Sequence, residues 1–144
     1  MKPELAFRRD LSKDMKGLWT LTWHEDREIS PGVPDASYVM AGGKYETGWL
    51  ELKAVDGKGT FNIGIEQSQH EWIKGHCEKI PVHFLIRTND MVWLIPGASH
   101  FHFVKPVDVP LLQQLAIASA IKDDIRKMLY NNLRQLTFRG RNGV

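Results

Sequence analysis

Asp35, Glu51 and Lys53 are the residues whose types and spacing could do chemistry. The run Gly48-Trp49-Leu50-Glu51-Leu52-Lys53 alternates like a β-strand, so Trp49, Glu51 and Lys53 fall on one face while Leu50 and Leu52 fall on the other. Asp35 follows the turn Gly32-Val33-Pro34 and opens an earlier strand; hairpin pairing of the two strands would bring its carboxylate beside Glu51. Two carboxylates offer hard oxygens to a magnesium ion. Such an ion offsets charge on a reacting phosphorus and lowers the pKa of a bound water, and an ammonium group can position that water or stabilise developing charge. The set suits hydrolysis of a phosphodiester. Glu-x-Lys alone is weak evidence in a chain with 25% charged residues. Its weight comes from the upstream Gly-x-Pro-Asp turn and the apolar strand around it.

The elements that must position these residues follow from apolar spacing. A helix is expected over Pro3 to Lys16: Pro3 suits a first turn, Phe7, Leu11 and Met15 recur at helical spacing, and Gly17 is a stop. Glu4 lies on that apolar stripe, whereas an acid in a first turn could equally serve the helix dipole. Trp19, Leu21 and Trp23 alternate with polar residues, as in a strand with one face on the core. A polar loop follows, then a strand from Pro34 through Met40, a turn at Ala41-Gly42-Gly43-Lys44, and the strand Gly48 to Ala54. Glu66 to Cys77 is expected to be helical, and Val82 to Arg87 and Met91 to Ile95 are strands joined at Thr88-Asn89-Asp90. His100-Phe101-His102 fits an aromatic-rich edge strand. Asp108, with Pro110 after it, should cap one long helix with the stripe Leu111, Leu115, Ala118, Ile121, Ile125, Leu129, Leu133 and Leu136. The order αβββαββα describes a single mixed α/β domain over residues 1–144, with a core of about 1–95 and a C-terminal strand and helix at about 100–137.

With these residues in place the chain resembles the PD-(D/E)xK nuclease superfamily, whose motif is an acid, a spacer and Glu-x-Lys on a strand. Pro34-Asp35 and Glu51-Leu52-Lys53 match it, across about residues 1 to 95. Within the superfamily it is similar to small VRR-NUC-type domains and to phage and archaeal Holliday junction resolvases, where a Gly-x-Pro-Asp turn precedes the Glu-x-Lys strand. The resemblance implies a restriction-endonuclease-like αβββαβ core with a mixed central sheet, to which the C-terminal helix is an addition without a counterpart. It also implies a site in which Asp35, Glu51 and the Leu52 carbonyl hold Mg2+ or Mn2+, Glu4 completes the coordination, and Lys53 orients the nucleophilic water. Gln69, in Gln69-His70-Glu71-Trp72, matches a glutamine that the family often places on the next helix. The function implied is a metal-dependent DNA endonuclease acting on branched or flapped junctions, in the cytoplasm of a prokaryotic or phage-infected cell. Resolvases of this kind work as homodimers, and the apolar stripe of the last helix would suit either a two-fold dimer or docking on the sheet.

The remaining signals set bounds. Net charge is +2 over 144 residues and 42% of them are hydrophobic, as in an ordinary globular domain. Charge therefore permits nucleic-acid binding without identifying it. Arg8, Arg9, Lys13 and Lys44 are the leading candidates for phosphate contacts, with Arg126, Lys127, Arg134, Arg139 and Arg141 behind them. Cys77 is a single cysteine, which argues against an intramolecular disulfide and a thiolate zinc site. The N-terminal MKPELAFRRDLSKD lacks the apolar run of a signal peptide, and no stretch is long enough to cross a bilayer. His100 and His102 could suit zinc but lack a third ligand at a familiar spacing. Glu25, Asp26 and Glu28 could add a metal ligand, although a solvated loop is the simpler reading. No finger or recognition helix is visible, so structure-selective or weakly specific cutting is expected. Two rivals stand beside it: a non-catalytic nucleic-acid-binding or assembly module that keeps the fold, and a metal-dependent hydrolase of RNA.

Overall fold

A computed structural model describes residues 2–24, 31–41 and 47–141, with side chains up to residue 133. Helix α1 is Pro3–Asp14, begun by Pro3 and closed where the Met15 N–H donates to the Leu11 carbonyl. It buries Phe7 and Leu11, the stripe that spacing predicts. Three strands follow, β1 Trp19–Trp23, β2 Ala36–Met40 and β3 Thr47–Val55. A short β4, Thr60–Phe61, precedes helix α2, Gln67–His76. Strands β5 Val82–Thr88 and β6 Met91–Pro96 form the second hairpin, turned at Asn89 with φ of 53°.

The main sheet has the order β1-β2-β3-β5-β6-β8, where β8 is Ala118–Ile121. β3 and β5 run parallel, connected through α2, and the other pairs are antiparallel. A mixed sheet results. Alternation along the strands sends Leu50, Leu52, Leu85 and Leu94 to one face, against Phe7 and Leu11 of α1. Phe84, Ile86, Trp93 and Ile95 go to the other, where Ile73 of α2 covers them. Gly48 is required where it stands: a Cβ there would lie 2.5 Å from the Tyr38 hydroxyl, because the buried Tyr38 ring rests on the strand opposite.

Two expectations fail in the C-terminal third. Residues 100–102 are not an edge strand but part of a 3₁₀ helix, Gly97–Val104. The chain bends so tightly against β5 that a Cβ on Gly97 would meet the Val82 carbonyl at 2.8 Å. This separates His100 from a strand partner and puts its Nδ1 2.9 Å from Nδ1 of His70 in α2. The single long helix is also broken. After β7, Val107–Asp108, which pairs with β4, it divides into α3 Val109–Leu115, strand β8, a 3₁₀ turn Lys122–Asp124 and α4 Ile125–Arg141. Asp108 does cap α3, accepting from the Leu111 N–H at 2.9 Å. The reason for the break is topological. Leu112 of α3 belongs to the α2 face of the sheet, whereas Ile125, Met128, Leu129 and Leu133 of α4 belong to the α1 face. A straight helix cannot serve both faces, so the chain crosses along the edge of β6, starting where the Ile117 N–H donates to the Leu94 carbonyl. The stripe of α4 thereby docks on the sheet. No helix among the described residues is long and apolar enough to cross a membrane.

Candidate active site

β2 and β3 part company just where the chemistry lies. Ala36 is paired with Leu50, the last pair of the ladder, and the next residues outward are Asp35 on one chain segment and Glu51 on the other. The Leu52 N–H has no β2 backbone to bond, and the Asp35 carboxylate takes that role, accepting at 2.9 Å through Oδ2. Asp35 is held from its own backbone as well, since its carbonyl accepts from the His24 N–H at 2.8 Å. Asp35 and Glu51 are each 1% exposed. A carboxylate buried so completely needs cationic or hydrogen-bonding company, which makes the pair costly unless it has a task.

The turn before Asp35 is built to approach α2. Gly32 has φ of +82°, and a Cβ there would sit 2.1 Å from the Ser68 carbonyl, so only glycine lets this turn lie on the first turn of the helix. Gln69 is buried in that same helical turn, where its Oε1 accepts from the Glu66 N–H at 2.9 Å. The glutamine thus has a capping duty beside the Gly32-Val33-Pro34 turn. Lys53, one pleat beyond Glu51 on the same face, is part-exposed, and its Nζ donates to the Gly64 carbonyl at 3.4 Å in the segment leading to α2. Asp35 thus stands just before β2, Glu51 and Lys53 lie on β3 just past its last pair with β2, and Gln69 lies in the helical turn against which the Gly32 turn rests.

Arg8, a candidate phosphate contact, is engaged within the fold. Its Nη2 lies 2.5 Å from Asp35 Oδ1 and 3.8 Å from Glu4 Oε1, with the guanidinium 5.0 Å from the centroid of the Trp23 ring. Glu4, with its side chain 36% exposed, is therefore one guanidinium away from Asp35. Among the described residues no three His, Cys, Asp or Glu side chains converge closely enough to hold a metal ion. The donor chemistry nevertheless suits a hard cation. Asp35 and Glu51 are buried carboxylates next to the end of the β2–β3 ladder, and the Leu52 carbonyl leaves the strand on the same edge as the N–H bound by Asp35. The guanidinium takes the Asp35 oxygen that such a cation would share. The i, i+4 relation of Glu4 and Arg8 was the signal for this contact, since it sets both side chains on one helix face.

Other expected residues are more dispersed. Arg9 and Lys13 are exposed on α1. Arg126 is occupied in closing α1, donating to the Asp14 and Lys16 carbonyls at 3.2 and 2.9 Å. Lys44 and the acidic group Glu25, Asp26 and Glu28 lie outside the described residues, as do the side chains of Arg134, Arg139 and Arg141. A histidine that the sequence did not single out, His83 on β5, is buried and its pKa is pushed down to about 4 by loss of solvent. Burial also lowers the pKa of His70 and of His100, the latter further through His70 and Lys74.

No protein-family model matches the chain, and no curated protein does. A solved structure does match: Archaeoglobus fulgidus Hjc, described as a Holliday junction resolvase from an archaeal hyperthermophile, with a TM-score of 0.50 over 78% of this chain and 94% of that one. The two chains share a fold. Sequence identity is 14%, so the likeness is one of architecture. It agrees with the restriction-endonuclease-like core, mixed sheet included, that Pro34-Asp35 and Glu51-Leu52-Lys53 imply, and does not single out VRR-NUC-type domains.

Proposed function

We propose that this protein is a metal-dependent endonuclease that hydrolyses phosphodiester bonds of DNA, with branched or flapped junctions as its substrates. The observation that supports it most is the Asp35 carboxylate held on the Leu52 N–H, opposite Glu51 and one pleat from Lys53. Asp35, Glu51 and the Leu52 carbonyl would hold Mg2+ or Mn2+, with Glu4 added from α1. The ion, when bound, supplies charge neutralisation at the phosphate and a more acidic water. The chain's own residues do the rest. The Leu52 N–H and the Arg8 guanidinium fix the direction of the Asp35 carboxylate, so this ligand is oriented by the chain itself. Lys53 presents an ammonium from the face that carries Glu51, suited to hold a water for attack or to meet charge that develops on the phosphate oxygens. Gln69 keeps the start of α2 in register with the turn.

One observation favours the rival reading of a non-catalytic DNA-binding or assembly module: Arg8 satisfies Asp35 internally. Both readings are tested by incubating labelled four-way junction, flap, duplex and single-stranded DNA, and a matching RNA, with pure protein in Mg2+, Mn2+ or EDTA. Cleavage of DNA that EDTA stops and that Lys53→Ala and Asp35→Asn lose is the expected result. Binding without cleavage of any substrate would overturn the nuclease reading in favour of the module, and preferential cutting of RNA would change the substrate.

A further inference from the structure

Trp49 lies on the face of β3 that carries Glu51 and Lys53, one pleat before the glutamate, and it starts a row of rings that the catalytic reading does not use. His24, at the end of β1, stands 4.8 Å from Trp49 between centroids; Trp49 stands 5.3 Å from Trp72 of α2; Trp72 stacks on His76 at 3.9 Å, 11° from parallel. All four are only part-buried, at the edge of the core rather than within it. Hydrogen bonds hold the two imidazoles at the ends of the row. His24 Nε2 is 2.8 Å from the Ser37 hydroxyl, and His76 Nδ1 is 2.6 Å from the Trp72 carbonyl. Rings needed only as filler would be buried; these are held in place at the surface.

Position limits what could lie on them. Two residues of strand separate Trp49 from Glu51, about 7 Å along β3. That is close to the spacing of neighbouring phosphates in an extended single strand, so a phosphate at Asp35 and Glu51 puts an adjoining base over the row. In a duplex the base faces are hidden by their neighbours, while an unpaired base can offer its face to an aromatic ring whatever its identity. We propose that His24, Trp49, Trp72 and His76 form a stacking platform for unpaired nucleobases next to the cleavage site, and that the DNA bound there is single-stranded at the point of attack. The proposal rests on the nuclease reading of the neighbouring carboxylates, and it explains how a site with no base-reading element selects a flap: it selects the unpaired segment.

Tryptophan fluorescence titrations of the full chain in EDTA test the platform without requiring cleavage. The probes are a twelve-residue oligothymidylate, an abasic strand of equal length and charge, and a twelve-base-pair duplex. Oligothymidylate should quench the emission and bind about tenfold more tightly than the abasic strand, the duplex binding more weakly than either. Trp72→Ala should lose about tenfold in affinity for oligothymidylate only, and Trp72→Phe, which keeps a ring, should recover most of it; circular dichroism checks the fold of both. Equal affinity for the abasic strand, or parental affinity in Trp72→Ala, overturns the platform. Quenching by oligothymidylate in a protein that cuts nothing would retain the platform and sink the nuclease; cutting that is indifferent to missing bases would do the reverse.

Discussion

The two faces of the central sheet solve different problems with the same strand. On one, Leu50 and Leu52 of β3 lie with Leu85 and Leu94 beneath α1 and α4, fully buried and apolar. On the other, the residues between them are Trp49, Glu51 and Lys53, and the covering helix α2 contributes Gln69, Trp72 and His76. The first face is a matter of apolar volume and tolerates best the hydrophobic swaps that conserve it. The second is a matter of placement: Asp35 is held by the Leu52 N–H and the Arg8 guanidinium, Gly32 lies where only a glycine can approach α2, and the side chains matter for their chemistry. Stability and activity should therefore separate by face.

The sharpest break in that separation is Lys53→Ala, expected to lower cleavage by about a thousandfold, about 4 kcal/mol of barrier, while the thermal midpoint stays near the parental value. Leu129→Ala, on the apolar face, should do the opposite, costing roughly 3 to 4 kcal/mol in urea denaturation while each folded molecule still cuts. An intermediate case is His83. It is kept neutral in the fold by burial, with its pKa near 4 against an ordinary 6.5. Between those values the unfolded chain binds a proton that the folded one refuses, so stability present above pH 6.5 is lost as pH falls towards 4, by about 3 kcal/mol. Urea midpoints at pH 7 and pH 4.5 should diverge less in His83→Phe than in the parent. The smallest effect is expected from Asp108→Ala, which removes the cap of α3 for about 1 kcal/mol and should leave cleavage untouched.

Where the sequence was legible, local pattern and tertiary placement agreed. The helix at Pro3, the strands around Asp35 and Glu51 and the helix at Gln67 each had a period and a stop that no distant residue contradicted. The C-terminal third was not legible in that way. Leucine and isoleucine at 111–136 recur at helical spacing, but whether they share a face depends on which side of the sheet each segment must cover. The Arg8 contact was not legible for a related reason: a guanidinium on a long side chain joins whatever carboxylate the fold brings near, here one 27 positions away. The aromatic row combines His24, Trp49, Trp72 and His76 from three elements, so only the two helical residues could have been paired by spacing.

The parallel pairing of β3 with β5 also bears on how the molecule comes together in time. The hairpins β2–β3 and β5–β6 close short loops and can form early, whereas β3 meets β5 only after the segment 56–81, with α2 inside it, has folded back. The strand that carries Glu51 and Lys53 thus gains its second neighbour only through the longer loop closure, and the Gly32 turn has nothing to rest on until α2 arrives. A nascent chain would in this way remain without an assembled centre until its architecture is nearly complete.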